Sequence, residues 1–266
     1  MLIVAERINA TRKPIREALE RKDVAFLLEE AKKQEAAGAH FLDVNAGTEA
    51  EKEIENLPWL VELLQDAVSI PLCLDTANDE ALARALRVYR KGEVMINSFT
   101  AEARRIEAVL PLAQEHKAYV VGLAMGDGGI PETVADRLKL VERLVQATED
   151  YGIPRERLFI DPLVVPIGTD QRQGRVFLET LQALKQEFPG VRTICGLSNI
   201  SFGMPNRRLL NRTFLALCIG YGLDAAIVDP LDQELMAVLF AALALTGQDE
   251  FCMNYIAAYR SGKLCS

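Results

Sequence analysis

The chain has 266 residues, of which half are hydrophobic and 26 % charged, the make-up of a globular protein. That length is generous for one ordinary core and short for two, and it matches the roughly 250 residues of a one-domain (β/α)8 barrel. A net charge of −8 and a pI near 5.0 argue against nucleic acid or an anionic membrane surface as the main partner.

The chain opens on "MLIVAERINATRK", whose apolar run breaks at Glu6-Arg7, too early for a secretory signal. From there, short β-type runs alternate with longer amphipathic stretches. The runs are "LIVAE" (2–6), "FLDVN" (41–45), "LCLD" (72–75), "VMINS" (94–98), "YVVGLAM" (119–125), "LFIDP" (158–162), "TICGLSN" (193–199) and "AAIVD" (225–229). Their average spacing, about 32 residues, is that of a strand plus a crossover helix. Between the second and third runs, Leu57, Leu60, Val61, Leu64 and Val68 follow the i, i+3, i+4, i+7 spacing of a helix around Trp59, a packing residue. "RRIEAVLPLAQEH" and "DRLKLVERLVQATEDYG" read the same way, the second stopped by Gly152. The longest apolar run, Leu235 to Leu245, falls short of the ~18 residues of a membrane span and reads as a buried helix.

Strands and helices alternating throughout imply a parallel sheet. No G-x-G-x-x-G follows the first strand, so a closed barrel is favoured over an open doubly wound sheet. The expected fold is α/β, a (β/α)8 TIM barrel spanning residues 1–266 as one domain. Cys73, Cys195, Cys218, Cys252 and Cys265 form an odd set without a C-x-x-C pair, and only His40 and His116 could join them at a metal. A zinc site is therefore not expected; the expectation is a reduced, cytoplasmic protein in which Cys73 and Cys195 are core residues.

A barrel of this kind builds its site at the C-terminal ends of its strands, where period two selects the inward side chains. The first run ends in Glu6, with Asn9 close behind. The second carries Asp43 and Asn45, and the third ends in Asp75, in phase with Cys73. Asn97 is in phase with Met95, Asp161 with Phe159, and Asp229 with Ile227. In the seventh, Asn199 is in phase with Leu197 and Cys195, beside Ser198 in "GLSNISFG" (196–203). Any one of these is equally a turn or cap residue. Seven of eight ends being acid or carboxamide, with no Lys or Arg among them, is a pattern. It suits a flat, neutral heterocycle rich in N–H donors, such as the 2-amino, N3–H and 4-oxo edge of a pterin. The glycine-rich "MGDGGIP" (125–131) lacks a phosphate-binding pattern and reads as a loop.

"ERIN" (6–9), "LDVNAG" (42–47), "LCLD" (72–75), "MINS" (95–98), "IDPL" (160–163) and "GLSNISFG…NR…LNRTFL" (196–215) together resemble the pterin-binding methyltransferase family. Within it they are most similar to the methyltetrahydrofolate:corrinoid/iron-sulfur protein methyltransferases of acetyl-CoA-pathway anaerobes. The folate domain of methionine synthase is similar, and dihydropteroate synthase more distantly. The S-R-K-like and R-V-H-D segments usual in dihydropteroate synthases are replaced here by "GLSN" and "IVDP", and no D-x-H-x-x-G cobalamin motif is present. Ala5 stands where relatives often have glycine.

The resemblance implies that Asp75, Asn97 and Asp161 hold the pterin and that Asn199 lies near N5, with Asn199 and Asp161 serving catalysis. Glu6, Asn9, Asp43, Asn45 and Ser198 match motif positions of secondary or strand-tying role. It further implies methyltetrahydrofolate as substrate and cobalamin on a separate corrinoid/iron-sulfur protein. No metal, nucleic acid or membrane partner is implied, and the expected assembly is a homodimer. Arg207, Arg208 and Arg212 fall near one helix start, either as a solvated face or as a contact for a partner or the folate glutamate tail.

Overall fold

In the computed structural model, which describes residues 1–47 and 49–264, the chain alternates strand and helix from end to end. The order is β1 (Leu2–Asn9), α1 (Lys13–Arg21), α2 (Val24–Ala36), β2 (Phe41–Asn45), α3 (Ala50–Gln65), β3 (Leu72–Asp75), α4 (Asp79–Val88), β4 (Val94–Thr100) and α5 (Ala103–Glu115). It continues with β5 (Tyr119–Leu123), α6 (Val134–Asp150), β6 (Leu158–Asp161), α7 (Gln173–Glu187), β7 (Arg192–Gly196), α8 (Arg207–Gly220), β8 (Ala225–Val228), α9 (Gln233–Leu245) and α10 (Met253–Arg260). The eight strands pair in parallel in sequence order and close, β8 onto β1. This is the expected (β/α)8 barrel.

Strands enclosed on both sides must be apolar on both sides, which is why they read as nearly continuous hydrophobic runs. Inside the barrel lie Val4, Phe41, Cys73, Met95, Val121, Phe159, Ile194 and Ala225. Phe41 and Tyr119 meet edge to face with ring centroids 5.9 Å apart, and Tyr119 meets Phe159 at 6.0 Å. Outside, one apolar layer packs α1–α6 against β1–β6, and a second packs α7–α9 against the closing strands. Several helix starts are capped by a short polar side chain: Asn78 accepts from the N–H of Glu80 and Ala81, and Thr133 accepts from that of Asp136.

β7 departs from expectation. It ends at Gly196, and Leu197–Ser201 forms a 3-10 helix. A 3-10 turn brings i and i+3 onto one side, so Leu197 and Ile200 are buried together while Asn199 is left exposed. The strand's phase is also the reverse of that expected. Cys195 pairs with Ala226 and faces the helix layer, whereas Ile194 and Gly196 face inward. Cys73, Cys195 and Cys218 are buried free thiols, and Cys265 lies outside the described residues.

α9 also differs from the buried helix expected over residues 235–245. It buries one stripe, Leu235, Met236, Leu239 and Ala242, while Leu245 is 87 % exposed, because a helix of the outer layer covers the sheet with one face only. Among the described residues no helix is long and apolar enough to cross a membrane.

Phe159 fills the barrel interior without solvent exposure and contacts Tyr119. Replacing it by alanine is expected to cost about 3–5 kcal/mol of folding stability. Urea unfolding followed by circular dichroism measures this, and a loss under about 1 kcal/mol would show that the interior is not packed around this ring.

Candidate active site at the C-terminal rim

Parallel closure brings every strand's C-terminal end to one rim. The inward polar residues there fall into three groups. The first joins β2, β3 and β4. Asn45 donates from Nδ2 to Asp75 Oδ2 at 3.0 Å, Asn97 donates to Asp43 Oδ1 at 3.4 Å, and the Cys73 thiol also bonds Asp43. Asn45 accepts in turn from the N–H of Gly47 at 3.1 Å. Asp43 and Asn45 therefore tie strand ends together, leaving Asp75 and Asn97 half-buried at the rim. The Asn9 side chain bonds within its own turn, where its Oδ1 accepts from the N–H and hydroxyl of Thr11.

The second group joins β6 and β7. Asp161 is 8 % exposed and accepts from the N–H of Leu163 at 2.8 Å and from the N–H of Gly196. The 3-10 turn folds Asn199 back over the end of its strand, so that its Nδ2 lies 3.2 Å from where a Cβ on Gly196 would stand. Gly196 leaves room for this approach, since a side chain there would press the Asn199 amide aside by a few tenths of an ångström. Asp161 and Asn199 are thus brought to the two sides of one residue, although strand alternation does not connect them.

The third group lines a cavity of about 520 Å³ between β1, β8 and the start of α8, and includes Glu6, Ser198, Asp229, Arg207, Arg208 and Arg212. Glu6 and Ser198 belong here, apart from the β2–β4 group. Arg7 crosses the strand junction, donating to Asp229 at 2.8 Å and to Glu30 at 2.9 Å. Arg207 donates to the Ser198 carbonyl at 2.8 Å and to Ser201 Oγ at 3.1 Å, fixing the 3-10 turn. Arg212 is tied to Asp232 and Glu234, while Arg207 and Arg208 are exposed on the rim.

Burial dominates the electrostatics. It raises Asp161 to about 7 against the opposing pull of the Leu163 and Gly196 N–H groups and the Arg137 charge. Burial also raises Glu6 to about 7, assisted by the negative charge of Asp229, and Asp75 to about 6 against the Asn45 hydrogen bond. Asp43 is pushed well above the carboxylate range by burial and then by Asp75. Near neutrality the rim therefore holds both carboxylic acids and carboxylates, able to donate and accept hydrogen bonds with a polar heterocycle. Among the described residues no group of three or more His, Cys, Asp or Glu side chains is placed to hold a metal ion.

Sequence reasoning missed Arg137. It is fully buried within α6, and its guanidinium reaches the loops after β5 and β6. A signal for it was present, because Arg137, Val141, Leu144, Val145 and Thr148 all fall on the buried stripe of α6.

Because the folded state raises the Asp161 carboxyl to about 7, it holds that proton more tightly than the unfolded chain does. The resulting stability is fully present below the ordinary carboxylate value of about 4 and is lost as pH rises through about 7. Asp161→Asn, which cannot ionise, is expected to be more stable than the parent at pH 8 by about 1–3 kcal/mol, with a smaller gap at pH 5. Urea midpoints at the two pH values test this; a gap that does not grow with pH would contradict it.

Residues 5–229 match the family model described as pterin binding enzyme. The chain is 34 % identical over 266 residues to a methylcorrinoid:tetrahydrofolate methyltransferase of Eubacterium limosum, covering 99 % of this chain and 98 % of that one. It is 33 % identical over 241 residues to the methionine synthase of Mycobacterium tuberculosis, covering 86 % of this chain and 20 % of that longer one. Among solved structures, the dihydropteroate synthase of Xanthomonas albilineans superposes with a TM-score of 0.70 at 22 % identity, covering 94 % of this chain and 92 % of that one, a likeness of fold. The chain belongs to the pterin-binding enzyme family.

Proposed function

We propose that this protein transfers a methyl group between N5 of tetrahydrofolate and the cobalt of a corrinoid carried on a separate corrinoid/iron-sulfur protein. The observation that carries the reading is the meeting of Asp161 and Asn199 around Gly196, on a rim that also presents Asp75 and Asn97. The E. limosum relative, similar along nearly its whole length, supports the same chemistry.

On this reading Asp75, Asn97 and Asp161 hold the pterin. A carboxylate accepts from the 2-amino and N3–H donors, and a carboxamide satisfies the 4-oxo group. Asp43 and Asn45 hold Asn97 and Asp75 in place, through contacts of 3.4 and 3.0 Å. In the direction from folate, Co(I) attacks the N5-methyl carbon, the C–N bond breaks and its electron pair stays on N5. N5 takes up a proton, giving tetrahydrofolate and methyl-Co(III). The tertiary amine is a poor leaving group unless that electron density is stabilised, and Asn199 supplies a hydrogen-bonding amide for this purpose. Asp161, titrating at about 7, is the adjacent group that can hold the proton. The site thus works by positioning and polarisation.

The E. limosum relative is named for transfer from methylcorrinoid to tetrahydrofolate, which favours that direction as a second reading. In the direction from folate the chain would serve the acetyl-CoA pathway in the cytoplasm. A homodimer is also proposed, supported by an apolar groove between α7 and α8 where Leu217 is 47 % and Tyr221 38 % exposed. Light scattering of the purified protein tests it, and a monomeric mass at all concentrations would exclude it.

The decisive assay mixes the protein anaerobically with methyltetrahydrofolate and Co(I) cobalamin, and separately with methylcobalamin and tetrahydrofolate. Both are then repeated with the corrinoid/iron-sulfur protein. Folate binding without methyl transfer in either direction would leave a non-catalytic folate-binding scaffold. Asn199→Ala is expected to weaken folate binding and to slow transfer by about 10²–10⁴-fold, the range for proton-assisted steps. Asp75→Ala is expected to raise the dissociation constant at least about tenfold, since a hydrogen bond to a charged group is worth roughly 1.5–3 kcal/mol. Unchanged folate affinity in the Asp75 variant would remove the pterin site from this rim.

A further inference from the structure

We infer that Arg137 is a positioning residue for Asp161: it clamps the turn that follows β6, keeps the Leu163 N–H on the Asp161 carboxylate, and presents a positive charge to that carboxylate. It thereby decides the state in which Asp161 meets a ligand.

Arg137 is the largest fully buried side chain among the described residues. A buried guanidinium normally sits against a carboxylate, since unpaired burial is costly. Among the described residues every hydrogen-bond partner of Arg137 is instead neutral. Nε donates to the Pro131 carbonyl, Nη1 to the carbonyls of Pro162 and Leu163, and Nη2 to Gln173 Oε1, each at 2.9 Å. The opposing charge that acts on it is Asp161, across the captured turn.

The capture has a local consequence. Leu163 has φ +70°, a left-handed backbone that a leucine seldom adopts. Both carbonyls of the 162–163 segment are held by one guanidinium nitrogen, and in this turn the Leu163 N–H reaches Asp161 Oδ1 at 2.8 Å. Asp161 is faced by this N–H from its own loop, by the Gly196 N–H from β7, and by Arg137 from α6, while the Cys195 thiol lies in the outer apolar layer. Of the three groups that counter its burial, two trace to Arg137. The other raised carboxyls answer to different neighbours: Asp43 to Asp75 and Glu6, Asp75 to Glu53, and Glu6 to Asp229, Arg12, Arg207 and Arg7.

The consequence for ligand binding rests on the pterin reading above; the effect on Asp161 itself does not. The test is a carboxyl ¹³C NMR titration of aspartate-labelled full-length protein, with the Asp161 signal identified by its loss in Asp161→Asn. The parent is expected to titrate at about 7. Arg137→Met should raise that midpoint by about one unit, equivalent to roughly tenfold in proton affinity. Arg137→Lys keeps the charge but loses the fork and should raise it by less. Adding Leu163→Gly to Arg137→Met should recover part of the shift, because glycine takes positive φ without a clamp.

The same variants are then titrated with methyltetrahydrofolate across pH. Arg137→Met should bind about fivefold more weakly than the parent near pH 7 and nearly equally well near pH 9. An Asp161 midpoint unchanged in both Arg137 variants, or an affinity loss uniform across pH, would overturn the inference. Should the parent bind no folate at any pH, the proposed function falls, while the carboxyl titration still decides the role of Arg137.

Discussion

Desolvation of carboxylates at one rim is the constraint on which the site depends. A closed parallel barrel carries all eight strand ends to the same side and covers the strands on both faces. Acidic side chains at those ends therefore lose water whether or not a ligand is present. Asp43, Asp75, Asp161 and Glu6 all respond in the same direction, by holding their protons more tightly. Such a rim is costly to fold and useful to bind with, because a group poised between acid and carboxylate can either donate or accept.

The compensation differs from one side of the barrel to the other. Between β2 and β4 it comes from side-chain amides, with Asn45 on Asp75 and Asn97 on Asp43. Between β6 and β7 it comes from backbone N–H groups and the distant charge of Arg137. Between β8 and β1 it comes from an ion pair, Arg7 with Asp229, while Glu6 has no such partner among the described residues. One chemical type of residue is thus held in three electrostatic settings, which lets one acid stay protonated while another serves as a carboxylate.

Much of this was legible in the chain itself. Asp75, Asn97 and Asp161 stand on strands whose alternation runs unbroken from Cys73, Met95 and Phe159, and those three do face the interior. The reading failed where alternation stops. Thr193 to Leu197 is apolar enough to pass for one continuous strand, yet the chain leaves the sheet at Gly196. The i, i+3 pair Leu197 and Ile200 marked the change of period, and Asn199 reaches the rim by a helical turn instead of a strand. Arg137 was overlooked because a charged residue in an amphipathic helix is ordinarily a surface residue, although it lies on the apolar stripe.

What the sequence by itself determined is the architecture, the order of the elements and the chemical character of the rim, because these follow from hydrophobic period and from residue types at strand ends. Only the tertiary structure decided that Asn199 lies over Gly196, that a buried arginine braces the turn beside Asp161, and which carboxyls keep their protons near neutrality. Those properties arise from burial and from neighbours distant in the chain, and no local pattern of residues specifies either.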